Sequence, residues 1–383
     1  MRVLGKGITA KAIEEAFDDV KLYDDSDFIN YDKSSDEITV VSPGIMPSNS
    51  MVKNSNNIIS EYDLFVDDMP FSIWISGTNG KTTTTQMCQH LLKKRGSVCG
   101  GNIGTPLSKL DKGANIWILE TSSFTTHYTK KAKPNLYILL PISEDHISWH
   151  GSFDEYKKAK LKPLDFMVES EIAIIPEEFK DYKTDACVIT YNSSDCLCKE
   201  FGIDKDKINF KEPFLLDAIM AFATSKILFD EVDYDLLNSF IIGEHKVEEF
   251  FDKKNRLWVD DSKATNIDAT INALKSYENK KINLILGGDD KGANLEPLFI
   301  ELKKYDVKVF AIGTNEEKLV RLSNEFGIES FSLKYLEKAV EKIDELSVEN
   351  SVGILSPAAA SLDQFSSYKQ RGEEFKNLVN SLS

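Results

Sequence analysis

The sequence predicts an α/β fold with mostly parallel sheets, divided into two or three domains. Short apolar runs alternate with amphipathic helical stretches along most of the chain, as doubly wound α/β folds require. The chain has 383 residues, which is too long for one ordinary hydrophobic core. Polar or glycine-containing turns follow several of the apolar runs, and ligands bind at such turns in these folds.

The most informative stretch is an apolar run that leads into a turn bracketed by Gly77 and Gly80. Residues 71–75 suit a parallel strand that is buried on both faces, and a helical pattern begins at Thr82. Glycines let the N–H groups of the turn point inward and the helix N-terminus adds positive charge, so the turn favours a polyphosphate. Lys81 would add a positive charge near the phosphates, and a threonine hydroxyl could hold Mg²⁺.

The spacing of this turn departs from the usual phosphate loop, which would need a glycine at Ile75. Only the pattern G-x-x-G-K-T is present. A glycine and a lysine after a strand also occur by chance, so an ordinary turn is the alternative. The strand, the turn, the lysine and the hydroxyls of Thr82 and Thr83 together favour nucleotide binding.

The balance of 46 basic and 62 acidic side chains gives a net charge of −16. General binding to nucleic acid or to a membrane surface requires basic faces, so this composition argues against both. The first residues lack the apolar segment of a signal peptide, and no stretch of about 18 apolar residues occurs, so we expect a cytoplasmic protein. The five cysteines lack paired metal-ligand spacing and are expected to be reduced.

The N-terminal stretch of about 60 residues predicts a small Rossmann-like unit. Three apolar segments are expected to be strands, and a helical pattern covers residues 10–17 after the first of them. Asp24 ends the second strand, a position that can meet a ribose or a base in such units. The motif Gly5-x-Gly7 is weak on its own, because a tight strand-to-helix turn explains it equally well.

Polar residues follow two further apolar runs in the central region. Glu120 comes directly after the run at residues 115–119, and a carboxylate at the end of a parallel strand beside a phosphate loop is an expected Mg²⁺ ligand. His146 follows the run at residues 136–140 and is either functional or an ordinary surface histidine. Asn102 lies in a glycine-rich turn, where its amide could bind a ligand carbonyl or cap the turn itself.

Four apolar runs in the C-terminal part are expected to be strands of a second Rossmann-like sheet, each followed by a helix. They are residues 256–260, 282–286, 307–312 and 352–355. Polar clusters follow three of these strands, at residues 261–266, 287–292 and 356–361. Because ligands bind outside the carboxyl ends of parallel strands, we expect one anion-binding crevice rather than three unrelated turns.

At these positions the chain resembles the Mur ligase family, and within it the branch that adds D-glutamate. That family writes its phosphate loop as G-T-N-G-K-T, which accounts for the missing glycine and is shared with folylpolyglutamate synthases. The runs D-S-K-A-T-N and S-P-A-x-A-S-x-D-Q-F single out the D-glutamate branch. Further matches extend over nearly the whole chain, at residues 101–104, 120–124, 145–146, 156–160, 287–291 and 371–372.

The resemblance implies a UDP-sugar-binding domain at residues 1–62, a central ATP-binding P-loop domain at 63–241 and an amino-acid-binding domain at 242–383. It implies an ATP-dependent, ADP-forming ligase that joins D-glutamate to UDP-N-acetylmuramoyl-L-alanine through an acyl phosphate. This reaction belongs to peptidoglycan precursor synthesis, and hence to cell wall formation, cell shape and cell division. Mg²⁺ would be needed to bring two anions, the carboxylate and the triphosphate, into line. We expect a monomer with small-molecule substrates and no nucleic-acid or membrane partner.

The resemblance also assigns roles to individual residues, with Lys81, Glu120, His146 and Lys160 as the catalytic set. The expected ATP contacts are Gly77, Thr78, Asn79, Gly80, Lys81, Thr82, Thr83, Lys246 and Asp261. The expected Mg²⁺ ligands are Thr82 or Thr83, Glu120, His146 and a carbamylated Lys160. By itself Lys160 would be a solvated surface residue, and a lysine cation cannot bind a metal. The expected contacts to the UDP-sugar are Thr9, Asp24 and Asn102. The expected contacts to D-glutamate are Lys263, Thr265, Lys291, Ser361, Leu362 and Tyr368. Ser122 is a further expected substrate contact.

Some positions depart from the family pattern. Lys246 stands where the family has an arginine, and a lysine cannot form the paired hydrogen bonds that a guanidinium gives to a phosphate. Phe214 and Asp217 replace an asparagine pair that contacts the adenine in the family.

Two functions other than D-glutamate ligation stay open. One is another amino-acid ligase of the superfamily, including one that adds glutamate to a folate, and the other is a nucleotide-binding regulator without catalysis. Retention of the whole catalytic set argues against the regulator.

Overall fold

The computed structural model describes residues 1–382, and the chain forms two compact units. Unit 1 comprises Met1–Phe210 and Phe214–Phe240, and unit 2 comprises Lys211–Pro213 and the chain from Ile241 onward. Unit 1 contains two parallel sheets, and unit 2 contains one sheet with a single antiparallel strand at its edge. The predicted α/β class with mostly parallel sheets is confirmed.

The N-terminal sheet of unit 1 is small and entirely parallel. Its strands are β1 (Arg2–Leu4), β2 (Lys21–Tyr23), β3 (Thr39–Val41) and β4 (Ile58–Ile59), in the order β2-β1-β3-β4. Its helices are α1 (Ile8–Ala16), α2 (Ser50–Lys53) and α3 (Glu61–Leu64). Val3 and Val40 are fully buried and pack with Ala10 and Ile13 of α1. The predicted small strand-and-helix unit is therefore present.

The second sheet of unit 1 has six parallel strands. They are β5 (Phe71–Ser76), β6 (Ser97–Gly101), β7 (Ile116–Glu120), β8 (Leu136–Leu139), β9 (Ile172–Pro176) and β10 (Cys187–Tyr191). Their order is β10-β9-β8-β5-β7-β6. The helices are α4 (Lys81–Leu92), α5 (Ser123–Tyr128), α6 (Ile147–His150), α7 (Phe153–Leu161), α8 (Ser194–Phe201), α9 (Phe214–Phe229) and α10 (Tyr234–Asn238).

Strand β5 lies inside this sheet, between β7 and β8. Its residues Ile73, Trp74 and Ile75 are fully buried, as expected for a parallel strand covered on both faces. The turn at residues 77–80 follows β5 and is called the phosphate turn below. It therefore projects from the middle of the carboxyl edge of the sheet, where ligands bind in such sheets. One local prediction is wrong. The sequence predicts that the glycine-rich turn around Asn102 covers residues 100–106, but Gly100 and Gly101 complete strand β6.

Asp63 of helix α3 connects this helix to the chain that follows α5. Its carboxylate is buried and accepts hydrogen bonds from the backbone N–H groups of Lys130, Lys131 and Ala132, each at 2.8 Å. It also accepts from the backbone N–H and the hydroxyl of Ser60, both at 3.1 Å. One side chain thus satisfies four backbone donors that have little access to water.

Replacing Asp63 with alanine is expected to lower the free energy of unfolding of unit 1 by about 3 kcal/mol, because several buried N–H groups lose their acceptor. Chemical denaturation followed by tryptophan fluorescence measures this change. The matched control is Asp68→Ala, since Asp68 forms only an exposed ion pair with Lys112 and should contribute less than about 1 kcal/mol. Equal stabilities of the two variants would contradict the assignment.

Unit 2 contains a six-stranded mixed sheet. Its strands are β11 (Glu248–Phe251), β12 (Leu257–Asp260), β13 (Lys281–Gly287), β14 (Val307–Ile312), β15 (Ser330–Lys334) and β16 (Ser351–Leu355), in the order β11-β12-β16-β13-β14-β15. Its helices are α11 (Ile267–Leu274), α12 (Glu296–Leu302), α13 (Glu316–Phe326), α14 (Leu336–Leu346) and α15 (Tyr368–Ser381). The four predicted strands are confirmed as β12, β13, β14 and β16.

The two edge strands of this sheet, β11 and β15, were not predicted. Both alternate between exposed and partly buried residues, so they lack the continuous apolar run of a central parallel strand. Strand β11 pairs antiparallel with β12. Among residues 1–382, no helix has the length and apolar character needed to cross a membrane.

Candidate active site

The phosphate turn depends on backbone conformations that glycine adopts readily. Gly77 has a φ of 136° and Gly80 a φ of 82°, both in the left-handed region. A Cβ on Gly77 would lie 2.5 Å from the Cβ of Leu140, and a Cβ on Gly80 would overlap the carboxylate of Asp217. Both glycines are therefore required for conformation and for space.

Gly80 is also the N-cap of α4, so the positive end of this helix opens onto the turn. The Nζ of Lys81 donates hydrogen bonds to the carbonyl oxygens of Gly77 at 3.0 Å and Thr78 at 2.7 Å. The lysine charge thus lies over the turn. A helix N-terminus and a lysine at one place favour the binding of an anion.

The hydroxyl of Thr78 anchors the turn to the chain after β8. It donates to the carbonyl oxygen of Ser143 at 3.0 Å, accepts from the Ser143 N–H at 2.9 Å and lies 3.1 Å from the hydroxyl of Tyr156. Asn79 and Thr82 are partly buried, and Thr83 is buried. The structure therefore gives Thr78 a supporting contact, while Thr82 retains access to solvent.

Glu120 ends strand β7, between the phosphate turn and the glycine-rich turn after β6. It pairs with Ile75 on β5 and with Gly101 on β6. Its carboxylate is buried; Oε1 accepts from the side-chain amide of Asn102 at 2.7 Å, whereas Oε2 has no hydrogen-bond partner among the described residues. A buried carboxylate oxygen without a partner, beside a phosphate-binding turn, fits a Mg²⁺ ligand.

Lys160 lies directly beneath the phosphate turn. Its side chain is 1 % exposed, and its Nζ donates to the carbonyl oxygen of Gly77 at 2.7 Å and lies 3.4 Å from the hydroxyl of Ser76. Burial, followed by the positive charge of Lys81, lowers the pKa of Lys160 well below its usual value. The default interpretation as a solvated surface residue is wrong, because α7 packs this side chain inward.

His146 and Lys160 lie in the same corner of the site. The ring of His146 is 6.2 Å from the ring of Tyr156, and the Nζ of Lys160 is 4.8 Å from that same ring. Asp145 lies 3.6 Å from Nε2 of His146, and its charge also raises the pKa of Lys160 against the larger effect of burial. The His146 side chain is 40 % exposed, so its ring is accessible to a ligand.

Sequence reasoning missed His150, whose ring contacts Ser123, the residue that follows the predicted substrate residue Ser122. The Nε2 of His150 forms a hydrogen bond with the hydroxyl of Ser123 at 3.0 Å, and Nδ1 is buried without a partner among the described residues. Burial, followed by nearby positive charges, lowers the pKa of His150 to about 4. Ser122 itself caps α5. The i, i+4 spacing of His146 and His150 was the available signal.

The residues predicted for the UDP-sugar side follow β1 and β2, which are neighbouring strands. Asp24 lies 2.7 Å from Nζ of Lys6 and accepts from the backbone N–H of Ser26 at 3.0 Å. The hydrogen bonds from Lys6 and Ser26 lower the pKa of Asp24 to about 2. Thr9 is partly buried on α1. The structure thus places Thr9 and Asp24 after strands that end at one edge of the small sheet.

In unit 2, the three predicted polar clusters follow the neighbouring strands β12, β16 and β13. The hydroxyl of Ser356 donates to the carboxylate of Asp261 at 2.6 Å. The backbones of Asp289 and Ala360 exchange two hydrogen bonds, each at 2.9 Å. The three clusters therefore lie side by side at one edge of the sheet, and the binding of an anion there stays a prediction.

Asp261 is a buried carboxyl group that supports the turn around Lys246. Its Oδ1 accepts from the backbone N–H of Val247 at 3.2 Å, and burial raises the pKa of Asp261 to about 7. Lys246 is partly buried, and the residues on either side, His245 and Val247, have positive φ values of 63° and 47°. The backbone of this turn is strained, and Asp261 is one of the groups that hold it.

The residues predicted for D-glutamate differ in their exposure. The Nζ of Lys263 lies 5.7 Å from the centre of the Tyr368 ring, and Ser361 is buried. Thr265, Lys291 and Leu362 are exposed. Both kinds of residue surround the edge formed by the clusters after β12, β13 and β16.

Sequence reasoning assigned no role to Arg371, although the residue belongs to a matched motif. Its guanidinium is buried and donates to the hydroxyl and carbonyl oxygens of Ser262, at 3.0 and 2.8 Å, and to the carbonyl oxygen of Ala359 at 3.1 Å. Burial lowers the pKa of Arg371 to about 10. Arg371 thereby joins the loops after β12 and β16.

A second buried pair lies in unit 2, where Nδ1 of His245 is 2.6 Å from a carboxylate oxygen of Asp260.

Phe214 and Asp217, which replace the pair expected at the adenine, differ in burial. Phe214 begins α9 and is partly buried. Asp217 is buried, accepts from the hydroxyl of Thr84 at 2.9 Å and lies against Gly80. Asp217 therefore supports the start of α4 directly behind the phosphate turn.

Several proteins of known name are similar to this chain over nearly its full length. A family profile described as Mur ligase middle domain matches residues 75–249. A UDP-N-acetylmuramoylalanine--D-glutamate ligase from Campylobacter jejuni is 48% identical over 99% of both chains. Enzymes of the same name from Helicobacter pylori and Oenococcus oeni are 44% and 32% identical, over 98% and 99% of this chain and 98% and 92% of the relatives.

Solved structures share the fold at lower identity. MurF from Thermotoga maritima, in complex with ADP, is 17% identical with a TM-score of 0.60, over 90% of this chain and 88% of that one. MurC from the same organism is 17% identical with a TM-score of 0.59, over 98% of both chains.

The phosphate turn, the buried lysine beneath it and the orphan carboxylate oxygen of Glu120 define a phosphate-loop enzyme that uses a nucleotide. The sequence identity to the relatives, over nearly the full length of the chain, shows the family to which this enzyme belongs. The chain belongs to the Mur ligase family. It is an ATP-dependent, ADP-forming amino-acid ligase of peptidoglycan synthesis.

Proposed function

We propose that this ligase joins D-glutamate to UDP-N-acetylmuramoyl-L-alanine. The observation that carries the proposal is the 48% identity, over 99% of both chains, to a relative named for a D-glutamate ligase. The site geometry supports an ATP-dependent ligase, because Lys81 supplies a positive charge over the phosphate turn, and Glu120 and a carbamylated Lys160 beside it would hold Mg²⁺. The substrate carboxylate and the triphosphate repel each other, so their reaction requires closely placed positive charge.

The phosphate turn is proposed to hold the ATP triphosphate. The N-terminus of α4 and the charge of Lys81 would neutralise the phosphate oxygens. Gly77, Asn79 and Gly80 would supply the backbone of the cradle, with Thr78 anchoring it. In unit 2, Asp261 holds the Lys246 turn through Val247, and Lys246 and Asp261 stay predicted ATP contacts.

The residues around Glu120 fit a Mg²⁺ site. Glu120 offers a buried oxygen without a hydrogen-bond partner, and Thr82 offers a hydroxyl at the start of α4. His146 and a carbamylated Lys160 would hold a second ion, since a buried neutral amine is the form that reacts with carbon dioxide. Bound Mg²⁺ would neutralise the phosphate and carboxylate charges.

The edge of the unit 2 sheet is proposed to bind D-glutamate. Two lysines, Lys263 and Lys291, would balance the two carboxylates of this amino acid. Tyr368 packs near Lys263 and would restrict its position. The remaining proposed contacts are Thr265, Ser361 and Leu362.

Unit 1 is proposed to bind the UDP-sugar through Thr9 and Asp24, and the resemblance gives Asn102 the same role. Ser122 is proposed as a further substrate contact. We also propose the division into domains at residues 1–62, 63–241 and 242–383. Action as a monomer in the cytoplasm, without nucleic acid or membrane, stays a prediction from composition and resemblance.

Phosphate release is expected only when ATP, UDP-N-acetylmuramoyl-L-alanine and D-glutamate are all present. A panel that replaces D-glutamate with L-glutamate, meso-diaminopimelate or L-lysine tests the amino acid. L-Glutamate has the inverted configuration at the α-carbon, meso-diaminopimelate has a longer chain with a second amine, and L-lysine lacks the second carboxylate, so a site built for D-glutamate should reject each of them. Replacing the UDP-sugar with a folate tests the acceptor.

Turnover with a folate, or with a different amino acid but not D-glutamate, would contradict the proposed substrates while leaving ligase activity intact. Binding of ATP without turnover at saturating concentrations of every substrate would support the non-catalytic regulator instead.

A further inference from the structure

The side chain of Asn102 lies against Glu120. Its Nδ2 donates to Oε1 of Glu120 at 2.7 Å, and its backbone N–H donates to the carbonyl oxygen of the same residue at 2.8 Å. Glycine precedes Asn102, so the chain can turn sharply enough for both bonds to form. One residue thus fixes both the main chain and the side chain of Glu120.

Neighbouring residues hold this arrangement in place. Gly101 has a φ of 82°, and a Cβ there would lie 2.6 Å from the carbonyl oxygen of Glu120 and 2.6 Å from the hydroxyl of Tyr62. Tyr62 is buried and donates to that carbonyl oxygen at 3.2 Å. The backbone of Glu120 is therefore contacted from two sides, while its buried side chain is held by the Asn102 amide.

The two carboxylate oxygens of Glu120 have different surroundings. Oε1 is held by the Asn102 amide, and Oε2 is buried without a hydrogen-bond partner among residues 1–382. A buried acceptor without a donor is costly, unless a cation binds it. An amide that holds one oxygen leaves the other as the available metal ligand, and such supporting contacts commonly tune metal affinity.

We propose that Asn102 is a positioning residue, which orients Glu120 so that Oε2 binds the Mg²⁺ of the Mg²⁺–nucleotide complex. This inference rests on the proposed function, because it uses the proposed metal site. It differs from the role that the resemblance gives Asn102, a contact to the UDP-sugar. The two roles lead to different measurements.

The test is Asn102→Ala, with ADP binding measured by calorimetry in MgCl₂ and again in EDTA. Loss of the orienting amide is expected to weaken ADP binding in MgCl₂ by about tenfold, the lower end for residues that support a metal ligand. ADP binding in EDTA and binding of UDP-N-acetylmuramoyl-L-alanine should stay within about twofold of the parent protein. The EDTA measurement also shows that the variant is folded.

Two further variants sharpen the result. Asn102→Asp keeps the shape but replaces the donor with a carboxylate, so it should also lose the Mg²⁺-dependent part of ADP binding. Asn115→Ala is the matched control: this asparagine precedes the same strand β7, and its Nδ2 donates only to the carbonyl oxygen of Arg95 at 3.0 Å, at the opposite end of the strand. It should leave every affinity unchanged.

The proposal is overturned if Asn102→Ala weakens binding of the UDP-sugar while ADP binding in MgCl₂ is unaffected, because Asn102 would then contact the sugar. Unchanged affinities for both ligands overturn it as well. Failure of the proposed function has a separate signature, since the parent protein would then release no phosphate with D-glutamate even where its Mg²⁺-dependent ADP binding is intact.

Discussion

Replacing Lys81 with alanine is expected to lower kcat by about 100- to 1,000-fold, as removal of a preorganised charge-stabilising group does elsewhere. Its Nζ lies over the phosphate turn, within hydrogen-bond distance of the carbonyl oxygens of Gly77 and Thr78. The charge that develops on the transferring phosphoryl group would lose the positive charge of this lysine. Steady-state phosphate release at saturating substrates measures this loss.

Lys94 provides the matched control, because it lies at the far end of the same helical segment and is exposed. Lys94→Ala removes the same charge from the protein without touching the turn, so its kcat should stay within about twofold, as for an ordinary surface substitution. Similar activities of the two variants would contradict the assignment of Lys81. Circular dichroism of both proteins separates lost catalysis from lost folding.

Replacing Lys160 with alanine is expected to lower activity by at least about 100-fold, because a proposed metal ligand is lost rather than a group that supports one. Burial and the charge of Lys81 hold the pKa of Lys160 well below its usual value. This shift favours the neutral amine, which is the form that adds to carbon dioxide, forming a carbamate anion and releasing one proton. NMR of protein equilibrated with ¹³C-bicarbonate should show one carbamate carbon that the variant lacks.

Lys158 is the control for this experiment, since it lies on the same helix α7 with its side chain 74% exposed. Lys158→Ala should keep both the carbamate signal and the activity. Full activity of the parent protein with an unmodified Lys160, shown by mass analysis under native conditions, would contradict the carbamate hypothesis.

The phosphate turn was predictable from the sequence because its physics is local. Gly77, Gly80 and Lys81 are close along the chain, and the strand before them and the helix after them fix their arrangement. The apolar runs of the central strands were predictable for a similar reason, since burial on both faces demands continuous apolar residues. The half-exposed edge strands β11 and β15 carry no such requirement and were missed.

The supporting contacts of the site were beyond local reasoning. Asn102 and Glu120 are 18 positions apart and meet because β6 pairs with β7. Arg371 reaches Ser262 across 109 positions. Such pairs depend on strand order, which short sequence patterns do not specify.

By itself, the sequence determined the α/β class, the phosphate turn and the strand ends where polar residues gather, because each follows from the pattern of a few neighbouring residues. The tertiary structure decided which of those residues are buried and what they touch. Lys160 shows the difference most clearly: as one lysine in a lysine-rich helix it resembles a surface residue, and packing of α7 beneath the phosphate turn removes it from water. Desolvation then changes its chemistry, since a buried amine favours the neutral form.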